Sequence, residues 1–147
     1  MRFSLRTLLL VFLFVAASLA GGLWLSRQLE EGVLVAYASW GCGDLLVDYL
    51  ESNSDRWPRN WEELEAFYVA SGRRYVGLES FADVELNFEI DFTFDPATDT
   101  QSWIADPVPE RVVRYRSGGA SYVAGREANS RILLYLTEHQ SDLQTGS

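Results

Sequence analysis

One uncharged segment limits the fold of this chain more than any other feature. Between Arg6 and Arg27 the sequence reads "TLLLVFLFVAASLAGGLWLS", 20 residues without a charged side chain. A helix of this length rises about 30 Å, which is the thickness of the hydrocarbon core of a bilayer. The segment therefore predicts a single transmembrane helix over residues 7–26.

The charges on either side of this segment predict its orientation. Arg2 and Arg6 precede it, whereas beyond Arg27 the flank becomes acidic at Glu30 and Glu31. Positive residues favour the cytoplasmic side of a membrane helix. We therefore expect a single-pass protein of the cell inner membrane, with its N-terminus in the cytoplasm and its body outside.

Cleavage of the segment as a signal peptide is the alternative interpretation. Residues 18–20, "SLA", form a small-x-small site before Gly21, after a basic start and an apolar stretch. Apolar residues continue through residues 23–25, however, and would leave a hydrophobic mature terminus. We therefore favour an anchor over cleavage after Ala20, and both interpretations place the body in the same compartment.

Composition limits what the body can bind. The chain has 147 residues, enough for one compact domain, and a formal charge of −9. Residues 28–147 hold nine arginines against 21 acidic residues, a formal charge of −12. Phosphate backbones would repel such a body, which argues against nucleic-acid binding. Cys42 is the single cysteine, so the sequence predicts no internal disulfide and no cysteine-based metal cluster, and we expect no cofactor.

Two helical stretches are predicted after the anchor. In residues 28–56 the apolar positions fall on one helical face, although Gly41 and Gly43 predict a kink or a break there. The motif "SDRWPRNWEEL", residues 54–64, is typical of a corner, because Pro58 cannot continue a preceding helix. Asn60 and Glu63 then form a capping box. A second helix therefore begins at Trp61, and Gly72 is its predicted stop.

The last half of the chain predicts strands. "VELNFEIDFTF", residues 84–94, alternates apolar and polar side chains over eleven residues, as a half-buried strand does. "RVVRYR" and "SYVAG" flank a turn at residues 117–119 and suggest a hairpin. "RILLYLTEH", Arg131 to His139, is compatible with strand or helix, and we favour a strand because the earlier strands need a partner.

The predicted fold class is α+β. An N-terminal transmembrane helix precedes one or two amphipathic helices, which pack on a small antiparallel sheet of three to five strands. We divide the chain into a cytoplasmic tip and anchor (1–27), a helical stem (28–56), an extracytoplasmic domain (57–139) and a flexible tail (140–147).

Parts of this pattern are shared with a known family. The opening "FSLRTLLLV" leads into a long apolar helix with an amphipathic second half, and the chain then passes from Tyr49 through Trp57-Pro58 to "EEL" at residues 62–64. With the predicted C-terminal sheet, these features resemble bacterial type IV pilin-like proteins, in particular the pseudopilins of type II secretion. The resemblance implies a filament subunit or a protein descended from one.

The opening also departs from the prepilin pattern. Prepilins carry a glycine before the processed phenylalanine, and here Arg2 precedes Phe3. Thr7 stands where prepilins carry a glutamate. The opening is also similar to that of small single-pass bacterial envelope proteins, which implies an anchor without filament assembly.

Few residues are candidates for a site. Trp57 is the candidate ligand or partner contact, although we favour its burial against the helix. Asp91, Asp95 and Asp99 could supply oxygen ligands for calcium, but their spacing is not that of an EF-hand, and a solvated strand face is the preferred interpretation. A nucleophilic pair of Cys42 and His139 has no local support, and a close approach of two helices accounts better for "GCG". Bridging of two copies through Cys42 is a further alternative.

These observations predict a membrane-anchored interaction or assembly domain, with no catalytic residues assigned. Its expected partners are membrane lipid, through the N-terminal helix, and another protein or a second copy of the chain. The alternative function is an extracytoplasmic ligand-binding or sensor module that uses exposed tryptophans, and an enzyme is the third choice.

Overall fold

The computed structural model describes the backbone of residues 5–106, 111–116 and 127–145, and the side chains of residues 12–22, 33–106, 111–116 and 127–139. These residues form a mostly helical α+β arrangement with one small sheet. In chain order the elements are α1 (Leu5–Ser52), α2 (Trp61–Ser71), α3 (Phe81–Asn87), β1 (Phe88–Ile90), α4 (Pro96–Ala105), β2 (Val113–Tyr115) and α5 (Ala128–Thr145).

Helix α1 passes through two different environments. Its 48 residues extend about 72 Å, and residues 12–22 are all exposed although nearly all are apolar. From Ala36 onward the helix enters the core, where Cys42, Leu45, Leu46 and Leu50 are completely buried. The stretch Val33–Ser52 is long and apolar enough to cross a membrane, but Leu45, Leu46 and Leu50 within it pack inside the protein. Among the described side chains, the exposed apolar surface of α1 therefore lies at residues 12–22 and again at Val33, Leu34 and Tyr37.

The helix is unbroken at Gly41 and Gly43, where we expected a kink or a break. Both glycines are points of close approach. A Cβ on Gly41 would overlap the carbonyl oxygen of Val76, and one on Gly43 would lie 2.9 Å from the Cα of Ala128 in α5. Packing against the loop and against α5 therefore offsets the low helix propensity of these residues, about 1 kcal/mol each.

The predicted corner between α1 and α2 is confirmed. Helix α1 ends at Ser52, and Ser54 and Asp55 have positive φ angles of 56° and 59°, which turn the chain. Helix α2 begins at Trp61 behind an Asn60 cap that accepts a hydrogen bond from the Glu63 amide at 2.9 Å. It ends at Gly72, whose φ of 60° is the left-handed conformation of a helix stop.

The prediction of a long strand over residues 84–94 is wrong in extent. Within this range only Phe88–Ile90 is a strand, and residues 84–87 belong to helix α3. The reason is a local cap: the Asp83 carboxylate accepts hydrogen bonds from the amides of Ser80 and Glu79 and starts a helix at Phe81. The alternation of burial nevertheless continues beyond β1, since Phe92 is half-buried and Phe94 is buried.

The sheet is smaller than predicted. Within the described ranges it consists of β1 and β2, antiparallel, with Glu89 opposite Arg114. The segment 131–139, for which we favoured a strand, lies in helix α5. Its buried residues Ile132, Tyr135 and Leu136 have helical spacing, and the helix packs mainly on α1 and α4 instead of joining the sheet. The predicted turn at 117–119 lies outside the described residues.

Helix α5 is fixed to both the sheet and α1. The buried Asn129 side chain accepts hydrogen bonds from the amides of Val112 and Val113 and donates to the Val113 carbonyl at 2.6 Å. Contacts with α1 occur in the same order along both helices, so the two run parallel. These contacts join Ala128 to Ser39, Arg131 to Asp44 and Tyr135 to Asp55.

Candidate binding groove

A groove opens beside the corner at the C-terminal end of α1. Four parts of the chain surround it: the corner itself, the segment after β1, the N-terminus of α4 and the outer part of α5. Its volume is about 470 Å³, within the range of small-molecule sites. The lining residues are Ser54, Asp55, Arg56, Trp57, Arg59, Phe92, Phe94, Asp95, Pro96, Ala97, Leu136 and His139.

Trp57 forms part of the groove wall and is also a core residue. It is 4% exposed, and its indole N–H donates to the Asp91 carbonyl at 2.8 Å. Its ring packs edge-on against Phe94 with ring centroids 5.1 Å apart. Phe94 packs in the same way on the buried Trp103. The side chain that we named as a ligand contact is therefore held rigidly, with only a small part of its surface open to the groove.

Trp61, four residues later, lies outside the groove lining. It is half-buried on helix α2 and contacts the rings of Phe81 and Phe92, whose centroids lie 6.2 and 5.1 Å from its own. The two tryptophans of the corner motif therefore do not form a shared platform. Phe92, which lines the groove, connects Trp61 to the groove wall.

Most charged groups around the groove are occupied by the fold. Arg56 donates to the Glu63 carboxylate at 2.9 Å. Asp55 accepts from the Tyr135 hydroxyl at 2.6 Å, and burial, followed by this hydrogen bond, raises the pKa of Tyr135 and keeps its hydroxyl protonated. Asp95 caps α4 by accepting from the Ala97 amide and the Thr98 hydroxyl. These groups shape the groove while they serve the fold.

The side chains of Arg59 and His139 also line the groove. The exposed Arg59 side chain makes no hydrogen bond or ion pair within the part of the chain that the structure describes. The Nδ1 of His139 lies 3.2 Å from the Tyr135 carbonyl oxygen. Because a carbonyl oxygen can only accept, this contact is a hydrogen bond when Nδ1 carries a proton. The groove therefore offers a guanidinium and an imidazole nitrogen to a ligand.

The Glu63 carboxylate connects α1, the corner and α2 by hydrogen bonds. Its carboxylate accepts from the Tyr49 hydroxyl at 2.6 Å, from Arg56 at 2.9 Å and from the Arg59 amide at 3.0 Å. The predicted capping box placed this carboxylate on the Asn60 amide, and the structure places it one residue earlier. The hydrogen bond from Tyr49, followed by that from Arg59, holds the pKa of Glu63 below its ordinary value of 4.5.

Replacing Glu63 by glutamine is expected to lower the free energy of unfolding by about 1–2 kcal/mol at pH 7, because one charged acceptor with three donors is lost. A depressed pKa means that the carboxylate stabilises the fold above about pH 4.5, and that this stability is lost as the pH falls through the lowered value. The difference between the two proteins should therefore shrink near pH 3. Denaturant titration of the full chain in detergent, followed by circular dichroism, measures both values.

Glu62→Gln is the matched control for this prediction, because Glu62 is exposed on the same turn of α2. A surface change of this kind should alter stability by less than about 0.5 kcal/mol. Equal stability of the Glu63→Gln and Glu62→Gln variants at pH 7 would show that the Glu63 hydrogen bonds contribute nothing measurable.

The other candidate residues are dispersed. Asp91 accepts from the Thr93 amide and hydroxyl, and Asp99 from the Asp95 amide, so the three aspartates act as local caps. Among the described residues, no group of three or more His, Cys, Asp and Glu side chains could hold a metal ion. Cys42 is 0% exposed and adjoins Gly43, which packs on Ala128, whereas His139 lies about 16 Å further along α5. The fold does not bring the thiol and the imidazole together, and it leaves no thiol surface for bridging two copies.

Sequence reasoning identified Trp57 in this groove, considered His139 only as a partner of Cys42, and missed Arg59 and the apolar wall. Arg59 carries a weak signal, as a lone arginine between Pro58 and a helix cap. The sequence does not place His139 in this groove, because its position depends on α5 running parallel to α1.

Comparison of the chain with protein-family models, with curated proteins and with solved structures gave no match. The function is therefore argued from the chain itself.

Proposed function

We propose that this protein is a membrane-anchored domain that lies outside the cytoplasm and acts by binding a partner or a ligand. The observation that carries the proposal is the division of α1 into an exposed apolar segment and a core segment. Residues 12–22 would leave a long apolar surface in water, and a bilayer covers such a surface. One unbroken helix would then join the membrane to the folded body.

The charge distribution supports the orientation. Arginines lie at both ends of the apolar segment, but the amino-terminal side has no acidic residue and the body beyond Arg27 has a formal charge of −12. The positive-inside rule then favours a cytoplasmic N-terminus.

The groove would lie at the end of the body that is remote from the membrane. From Ser26, at the end of the predicted anchor, to Ser52, the end of α1, the helix rises about 39 Å. The corner and the groove follow directly after Ser52. A soluble ligand or a second protein could reach this position without contacting the bilayer.

Epitope tags at the two termini test the anchor and the orientation together. In intact spheroplasts treated with proteinase K, we expect the C-terminal tag to be lost and the N-terminal tag to stay protected on a membrane-bound fragment. Detergent lysis should expose both tags, which is the control for protease activity.

Protection of the C-terminal tag in spheroplasts and its loss after lysis would overturn the orientation. Absence of the N-terminal tag from the membrane-bound chain before digestion would instead indicate cleavage after Ala20.

Ligand binding in the groove is a second candidate function. The observation that favours it is a rigid aromatic wall containing Trp57 next to Arg59, whose guanidinium makes no hydrogen bond or ion pair among the described residues. Filament assembly of the pilin kind stays a prediction from the sequence. The long helix with an exposed apolar segment at residues 12–22 supports it in shape. The missing glycine before Phe3 and the missing glutamate at Thr7 argue against processing and registration of the usual kind.

A further inference from the structure

We propose that the groove binds a small organic acid that carries one carboxylate on an aromatic or other flat apolar body. This proposal rests on the second candidate function and adds the chemical class of the ligand to it. Three observations lead to it: a cation at the rim that makes no hydrogen bond or ion pair among the described residues, an apolar wall, and carboxylates that the fold already uses.

The cation at the rim is Arg59. It follows Pro58, which is fully buried and fixes the backbone, and its own amide is tied to Glu63. The base of the side chain is therefore held in place, while the guanidinium makes no hydrogen bond or ion pair with the part of the chain that the structure describes. A guanidinium is planar and presents paired N–H donors that match the two oxygens of a carboxylate.

The wall opposite suits a flat apolar group. Phe92, Phe94 and Leu136 line the groove together with the edge of Trp57. Trp57 and Phe94 are locked edge to face, so the wall is formed before a ligand arrives. A ligand ring placed there would contact mainly the half-buried Phe92, together with the small area that the buried Trp57, Phe94 and Leu136 leave open, without a conformational cost to the protein.

Charge limits the ligand to a single negative group. Asp55 and Asp95 also line the groove, and Arg56 is already paired with Glu63, so one guanidinium is left for the ligand. A doubly charged phosphate would meet two carboxylates with one free arginine, and a cationic ligand would find both carboxylates occupied by donors of the fold. The His139 ring, which lines the groove, can in addition form a hydrogen bond with a polar group on the ligand body.

Indole-3-acetate is a suitable probe, since it combines one carboxylate with a flat ring that carries an N–H. Indole-3-acetamide is its uncharged counterpart. The full chain in phosphatidylcholine nanodiscs has five tryptophan indole N–H signals, and the Trp57→Phe variant identifies that of Trp57. We expect the acid to shift the Trp57 signal saturably, and the amide to bind about tenfold more weakly.

Arg59→Gln should remove the preference for the acid over the amide. The matched control is Arg74→Gln, because Arg74 is another exposed arginine on a loop outside the groove lining, and this variant should keep the tenfold preference. Both variants should show the five indole signals of a folded chain.

Three results would overturn the proposal. These are equal affinity for acid and amide in the unaltered protein, an unchanged preference in Arg59→Gln, and the absence of a saturable Trp57 shift with either probe up to about 10 mM. The measurement does not depend on the orientation of the protein in the cell. Ligand binding can therefore be disproved while the anchored-domain proposal holds, and the anchored-domain proposal can be disproved while ligand binding holds.

Discussion

Replacing Gly77 by alanine is expected to lower the free energy of unfolding by about 3 kcal/mol or more. Gly77 has a φ of 72°, a conformation that costs an L-residue about 1–2 kcal/mol. Its missing Cβ also matters, because a Cβ there would lie 2.5 Å from the carbonyl carbon of Tyr37 and closer still to the Ala38 nitrogen. Both atoms are backbone of α1, so the loop itself would have to move away from the helix, at a further cost of about 1–3 kcal/mol.

Gly72→Ala is the matched control for this prediction. Gly72 has a similar φ of 60°, but a Cβ there would meet nothing within 4 Å. We expect about 1 kcal/mol for this change, from conformation alone. Denaturant titration of the full chain in detergent, followed by circular dichroism, compares the two variants. A Gly77→Ala variant as stable as Gly72→Ala would show that the loop does not need to lie directly on α1.

The distance along the chain between contacting residues explains which helix features the sequence could predict. The Asn60 cap and the Gly72 stop depend on residues within a few positions, and both were predicted correctly. The prediction of a break at Gly41 and Gly43 was wrong. The effect of these glycines on the helix depends on Val76 and Ala128, which are 35 and 85 residues away in the chain. Glycine weakens an isolated helix, but at a packing contact it allows the close approach that stabilises the helix.

The strand predictions failed for a related reason. The alternation of residues 84–94 describes burial correctly from Phe88 to Phe94, but burial with a period of two does not require a continuous strand. Local caps at Asp83 and Asp95 start helices on either side of β1. Residues 131–139 were assigned as a strand only because the predicted sheet needed partners, and a shorter sheet removes that need.

The groove could be predicted only in part. Trp57 was singled out because a tryptophan beside a proline in a corner is conspicuous. Arg59 and His139 are 80 residues apart, and they line the same groove because α5 runs parallel to α1. Contacts of this range are not visible in the local pattern of the chain.

Trp57→Ala is expected to lower the free energy of unfolding by about 3–5 kcal/mol, as is usual for a large buried aromatic side chain. The change removes the ring contact with Phe94 and leaves the Asp91 carbonyl without its indole donor. The same denaturant titration of the full chain measures this loss. Val69→Ala is the control, because Val69 is 71% exposed on α2, and it should change stability by less than about 0.5 kcal/mol.

Trp57→Phe separates the two roles of this side chain. Phenylalanine keeps most of the apolar contact and loses only the hydrogen bond to Asp91, which should cost about 1–2 kcal/mol and leave the chain folded. A loss of stability in Trp57→Ala of less than about 1 kcal/mol would contradict a core role and return Trp57 to the exposed platform of the alternative hypothesis. If the expected order holds, with alanine far more damaging than phenylalanine, the groove is formed by a ring that the core already holds in place. Its aromatic wall would then be as rigid as the fold itself.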